Sequence, residues 1–173
     1  MSILTTTERN GTSTPRASIG DLVYRFRGQL GEMYPLGLFD DGIRFHNQFE
    51  GHVVDGPFAG ARIFGLDQFM LRPDGVGVIV APEVIDAGDV RVSLEVRGYL
   101  VPPVGAPVPP LEAVLQPGFE MPDAEFRVTG SATIATVAPR YAHLNRTTAV
   151  VEGTVNMGTG AMDVSAYSID SSS

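Results

Sequence analysis

Between Leu22 and Ile169 apolar residues recur at every second position, in runs cut by Gly and Pro turns. A strand turns successive side chains to opposite faces, so this rhythm belongs to half-buried β-strands. The segments that carry it are 22–30, 43–54, 60–71, 77–81, 90–101, 125–137, 147–157 and 161–169. Turn chemistry separates them, at Asp40-Asp41-Gly42, Asp55-Gly56-Pro57, Arg72-Pro73-Asp74-Gly75, Ala87-Gly88-Asp89 and Gly158-Thr159-Gly160. Short turns make antiparallel neighbours. The sequence therefore predicts an all-β fold, a closed antiparallel up-and-down β-barrel of about eight strands. Helical turns are expected only at Pro110–Leu115 and Pro139–Leu144.

The stretch from Pro102 to Pro122 breaks the rhythm with repeated prolines, which cannot donate to a ladder. It is expected to be one long Pro-rich loop, either a cover over a site or an insertion. The chain of 173 residues fits one domain. The expected division is a disordered N-terminal arm over 1–18, a single barrel over 19–169 and a polar tail over 170–173.

Five-residue echoes say which sheet face is the inside. Phe26-Arg27-Gly28-Gln29-Leu30, Phe49-Glu50-Gly51-His52-Val53, Val96-Arg97-Gly98-Tyr99-Leu100 and Val151-Glu152-Gly153-Thr154-Val155 share one pattern of apolar, charged, Gly, polar, apolar. First, third and fifth residues share a face. Glycine at repeated levels allows tight coiling, so the apolar-Gly-apolar face is read as the interior. Arg27, Arg44, Glu50, Arg91, Glu95, Arg97 and Glu152 then face solvent and pair across strands.

A net charge of −8 disfavours nucleic acid and anionic membrane surfaces as partners. The absence of cysteine removes thiolate catalysis and cysteine-ligated metal. His46, His52 and His143 have no metal-ligand spacing, no Gly-x-Ser-x-Gly elbow is present, and no phosphate-cradling loop occurs, so neither a metal nor a cofactor is expected. Residues 1–20 are polar, without the apolar stretch of a secretory signal, and no segment approaches the ~20 apolar residues of a membrane span. The expected setting is cytoplasmic.

The stretches Phe49-Glu50-Gly51, Gly56-Pro57-Phe58-Ala59-Gly60, Leu71-Arg72-Pro73-Asp74-Gly75-Val76 and Pro139-Arg140-Tyr141-Ala142-His143-Leu144-Asn145-Arg146 resemble the family labelled domain of unknown function 3237. The resemblance runs from about Leu22 to Ile169. It implies a lipocalin-like or allene-oxide-cyclase-like barrel, commonly a homodimer, with no agreed activity. Ala142-His143 stands where the family's late motif calls for a bulky aromatic, and the 102–122 insertion is long for the family.

Asp67 is the most informative single residue, because in Ile63-Phe64-Gly65-Leu66-Asp67-Gln68-Phe69-Met70-Leu71 it alternates with apolar side chains on the inner face. A carboxyl there has its charged form disfavoured, which suits a general acid or base; it also suits a buried Asp satisfied by its neighbours. Asn47 lies between Phe45 and Phe49 on the same face and either orients a ligand or bonds across the barrel. Arg140, Tyr141, His143 and Asn145 fall in a connection expected at a barrel mouth, where Tyr141 would donate to an oxyanion and Asn145 or Arg140 would stabilise it. A structural corner built from Tyr141 and Asn145 explains the same residues. Arg72 is expected to pair with a carboxylate, and Phe69 joins Phe45 and Phe49 as apolar lining.

These observations point to a cofactor-independent acid–base enzyme, an isomerase, cyclase or lyase, acting on a hydrophobic carbonyl or polyketide-like compound inside the barrel. Asp67 and Tyr141 are its expected catalytic pair. The alternative is a non-catalytic lipocalin-like carrier of a hydrophobic small molecule. A third possibility, a partner protein using its sheet exterior, requires a filled interior and an exposed apolar patch.

Overall fold

A computed structural model of the chain describes residues 17–171. The strands are β1 (Ala17–Phe39), β2 (Gly42–Asp55), β3 (Arg62–Leu71), β4 (Gly77–Asp86), β5 (Arg91–Val101), β6 (Glu125–Thr136), β7 (Thr148–Asn156) and β8 (Ala161–Ser171). Each pairs antiparallel with its neighbours in sequence, and β1 also pairs with β8, so the sheet closes into a ring. The two expected helical turns form, as α1 (Leu111–Val114) and a 3-10 helix over Pro139–Arg146.

Several boundaries differ from the sequence reading. The arm expected over 1–18 lies outside the described residues as far as residue 16, while Ala17 and Ser18 pair with Ser171 and Asp170. Of the expected tail, Asp170 and Ser171 belong to β8, and 172–173 lie outside the described residues.

β1 extends over 23 residues rather than nine, through glycines and a proline that read as breaks. Here those residues sit at irregularities of the ladder: Gly20 falls in the register shift between Ile19 and Leu22, Gly31 in that between Leu30 and Met33, and Pro35 borders a third. A bulge bends a strand without ending it. β4, expected over 77–81, runs on through Pro82 to Asp86. The Pro82 carbonyl lies against Gly65 of β3, so the side of Pro82 that lacks an N–H also faces β3. There the β3–β4 ladder is interrupted between Gly65↔Glu83 and Met70↔Val78, while the pairing with β5 continues unbroken.

The interior is the apolar-Gly-apolar face. Phe26, Phe49, Val53, Val96, Leu100, Val151 and Val155 of the echoes are all buried, and Glu50, Arg97 and Glu152 are exposed. Gly28 stands opposite Gly51, and Gly98 opposite Gly130. A Cβ on Gly98 would meet the Thr129 carbonyl. Backbones approach at these pairs as no side chain would permit, and the sheet coils there. Charges on the outer face pair across strands in part, as Arg62 of β3 does with Glu50 of β2 at 2.7 Å, whereas Arg97 takes Glu95 of its own strand at 2.7 Å.

Strand direction gives the barrel two unlike ends. One carries the connections 56–61, 87–90 and 137–147 and is plugged: Phe58 and Leu144 are buried, and the Phe58 ring packs 4.7 Å from that of Tyr141. The other carries the turns at 40–41, 72–76 and 157–160 and the long connection 102–124, which folds over it with α1. Leu111, Val114 and Leu115 pack on the core from this cover.

Candidate active site

The open end leads into a vestibule of about 810 Å³, walled by Met33, Phe45 and Leu71 from the strands and by Val114, Phe119 and Met121 from the 102–124 cover. Below it lies an inner chamber of about 50 Å³. Leu30, Asn47, Phe69 and Met157 border both, so the two spaces meet at that level. The vestibule has the size of a small-molecule site, whereas the chamber admits one end group or a few waters.

Asp67 enters the chamber from β3 between Gly65 and Phe69, directly across the ladder from Asn47 of β2. Glu83 enters from β4, across from Gly65. The absence of a side chain at Gly65 leaves room for the Phe49 ring; a Cβ there would fall 2.7 Å from it. Because the β3–β4 ladder lapses beside Pro82, the Val80 N–H is available to the Asp67 carboxyl, to which it donates.

Asn47 and Glu83 are each only 6% exposed, and Asn47 Oδ1, Asp67 Oδ1 and Glu83 Oε2 are buried with no hydrogen-bond partner. Tyr24, fully buried on the inner face of β1, has an unpartnered hydroxyl as well. Buried polar atoms are nearly always partnered, so four orphans in one region point to a ligand or a proton-transfer role.

Burial pushes the Asp67 carboxyl up to about 7, against the lowering pull of the Val80 N–H. Burial also pushes Glu83 up, to about 8, helped by the neighbouring charge of Asp67. Burial, and then the Glu83 charge, raise Tyr24 well above its ordinary value. Asp67 starts from the lower ordinary value, 3.8 against 4.5, and keeps one donor, which favours it as the first of the pair to ionise and leaves a carboxylate beside a carboxylic acid. Two carboxyls set apart in this way can take and give protons in one turnover.

The structure does not bring the expected catalytic pair together. Tyr141 lies at the plugged end, packed on Phe58, and its hydroxyl reaches the Pro57 carbonyl at 3.4 Å. Asn145 is a structural corner: its Oδ1 accepts from the Thr136 N–H at 2.7 Å and its Nδ2 donates to the Thr136 carbonyl at 2.9 Å. Arg140 pairs with Asp89 at 3.2 Å, and His143 is exposed. The connection expected to form the mouth closes the opposite end instead, because the number of strand reversals before it puts it with the 56–61 loop.

Arg72, expected among the substrate-binding residues, lines neither the chamber nor the vestibule and pairs with Asp74 of its own turn. Asn47, Phe45, Phe49 and Phe69 all line the cavity system. His46 is half-buried and His52 exposed, both outside, and among the described residues no group of three or more His, Asp or Glu could hold a metal ion.

Glu83 is what the sequence reading missed. Ile79, Ala81, Glu83 and Ile85 alternate as Ile63, Gly65, Asp67 and Phe69 do, so the signal was present. Ending the strand at Pro82 concealed it. Tyr24 likewise alternates with Phe26, Gly28 and Leu30 on the inner face of β1.

No family model matches the chain, and no curated protein matches it. Solved structures do. A beta-barrel like protein from Acinetobacter baumannii AYE is 20% identical with a TM-score of 0.69, over 92% of this chain and 99% of that one. A protein with unknown function from Clostridium acetobutylicum is 21% identical with a TM-score of 0.66, over 91% and 100%. An enzyme from Penicillium herquei is 17% identical with a TM-score of 0.50, over 92% and 98%. At these identities the likeness is one of fold, and the chain shares a beta-barrel-like architecture with these proteins over nearly its whole length.

Proposed function

We propose that this protein is a cofactor-independent acid–base enzyme acting on a hydrophobic carbonyl compound, with Asp67 and Glu83 as its catalytic residues. The observation that carries the reading is a pair of carboxyls, Glu83 buried and Asp67 half-buried, each with one buried, unpartnered oxygen, in an apolar chamber at the foot of a ligand-sized vestibule. The apolar body of the substrate fills the vestibule and its carbonyl end enters the chamber. Asp67 carboxylate removes the proton α to the carbonyl while the Glu83 acid passes its proton to the carbonyl oxygen, giving a neutral enol. Asp67 then holds the proton and Glu83 the charge. Return of the protons, with the one from Asp67 delivered to another carbon of the enol system, completes an isomerisation. The exclusion of water by Phe26, Phe49 and Phe69 keeps both pKa values raised and protects the enol.

A panel of aryl and alkyl ketones in D2O, followed by proton NMR, tests this. Exchange of α-hydrogens above the buffer rate is expected for at least one ketone, and Asp67→Asn should slow it by about 10²-fold or more. Equal exchange by the wild type and both the Asp67→Asn and Glu83→Gln variants would overturn the reading. Native mass spectrometry of the purified protein adds the search for a co-purified compound. A carrier has use for the vestibule and its apolar walls but none for two desolvated carboxyls, whose burial is costly.

Membership of the family labelled domain of unknown function 3237, a homodimeric state and a cytoplasmic setting belong to the same proposal. The exposed Met33, Leu36, Leu38 and Phe39, on the part of β1 that outruns β8, support a second copy. Among the described residues no helix is long and apolar enough to cross a membrane.

A further inference from the structure

The chamber presents acceptors in excess of donors. Asn47 Oδ1, Asp67 Oδ1 and Glu83 Oε2 are all buried and unpartnered, and among the described residues no Lys, Arg or His lines either the chamber or the vestibule. A carbonyl group, itself an acceptor, satisfies a protonated carboxyl but leaves the Asn47 oxygen orphaned. An ammonium group is the complementary shape: it has three donors and no acceptor. Phe26, Phe49 and Phe69 line the chamber with aromatic rings, a setting that suits a cation better than an anion. Charge along the route has the same sense, since the vestibule carries Glu120 and Asp123 and the chain's net charge is −8.

We infer that the chamber is a recognition site for a protonated primary amine on an apolar body, the ammonium donating to Asn47, Asp67 and Glu83 while the body lies in the vestibule. The inference takes from the proposed function only that the chamber is the working site; it requires no turnover. A basic nitrogen at the end of the molecule that enters the chamber then distinguishes preferred ligands, and a carboxylate or phosphate in the same position is excluded by like charge. The titratable groups that line the chamber are Asp67 from β3 and Glu83 from β4, with Tyr24 of β1 buried within reach of the Glu83 charge; β2 contributes Asn47, and the lining from β5 to β8 is apolar. With no His, Lys or Arg lining the chamber to take it up, a proton displaced from the carboxyls by the ammonium leaves to solvent.

Isothermal titration of the full chain with n-hexylamine, n-hexanol and hexanoate tests the inference on three bodies of like size. Hexylamine should bind at least tenfold more tightly than hexanol at pH 8, with hexanoate weakest. Its affinity should rise at least tenfold from pH 6 to 8.5, with protons released in buffers of differing ionisation heat. Glu83→Gln should lose tenfold or more for hexylamine while keeping the wild-type far-UV circular dichroism spectrum, which shows that the variant is folded. Equal binding of hexylamine and hexanol by the wild type, or an affinity for hexylamine that does not change with pH, overturns the inference. Ketone exchange without amine preference would refute amine recognition and leave the enzyme reading standing; amine preference without exchange would do the reverse.

Discussion

Replacing Glu83 by Gln should make this protein more stable at alkaline pH. Glutamine keeps the size and polarity of the protonated acid, so near pH 4 the variant and wild type should unfold alike. The folded protein holds Glu83 protonated up to about 8, against an ordinary value of 4.5. The folded state therefore binds a proton that the unfolded chain has already lost, and wild-type stability falls from pH 4.5 until Glu83 ionises near 8. At about 1.4 kcal/mol per unit the full shift is worth about 5 kcal/mol, a ceiling that relaxation of the chamber around the charge will reduce. Asp67, raised from 3.8 to about 7, adds a slope of the same sign that ends near pH 7 and remains in the variant. The two proteins should thus part company most clearly between pH 7 and 8, where the wild type is still losing stability and the variant is not. Asp86 and Asp163, both held below their ordinary range, act in the acid region and leave this window clean. Urea unfolding followed by far-UV circular dichroism is the assay, since the chain has no tryptophan to report by fluorescence. Parallel stability curves for the two proteins from pH 5 to 9 would show that Glu83 ionises freely, and the argument for a working acid in the chamber would fail with it.

Asp67→Asn removes the neighbouring charge that helps raise Glu83, so the Glu83 pKa, followed by carboxyl 13C NMR, should move down from about 8. Asn145→Ala leaves both Thr136 backbone groups without their partner and should cost about 1–3 kcal/mol in urea unfolding, with hexylamine affinity and ketone exchange unchanged. Gly65→Ala places a Cβ against the Pro82 carbonyl and the Phe49 ring and should destabilise by about 1–3 kcal/mol, with ligand affinity falling as Phe49 is pushed into the chamber.

Much of the fold was legible because the barrel interior imposes one rule on every strand. Each inward position must be apolar or small, so period-two alternation carries through all eight strands and fixes the inner face at Phe26, Phe49, Val96 and Val151 together. Boundaries failed where a residue that disrupts a ladder did not end a strand: Gly31 and Pro35 sit at bulges of β1, and Pro82 turns its missing donor toward a gap. Asp67 and Asn47 were legible by the same inner-face rule. Tyr141 was misplaced because its short connection was read as a mouth without asking which end of the barrel it closed. That end follows from strand direction, a property of the whole ring.

The gap at Pro82 connects these observations. A full ladder between β3 and β4 would engage the Val80 N–H with β3 backbone; the lapse leaves it to the Asp67 carboxyl. That single donor offsets part of the burial that raises Asp67, whereas the side-chain oxygen of Glu83 facing the chamber has no such partner. An aspartate already ionises below a glutamate, at 3.8 against 4.5, and the donor acts in the same direction. The gap adds to that difference and favours Asp67 as the first to ionise, and the Asp67 charge raises Glu83. The residue that concealed Glu83 from the sequence reading also frees the donor that favours Asp67 as the base of the proposed pair.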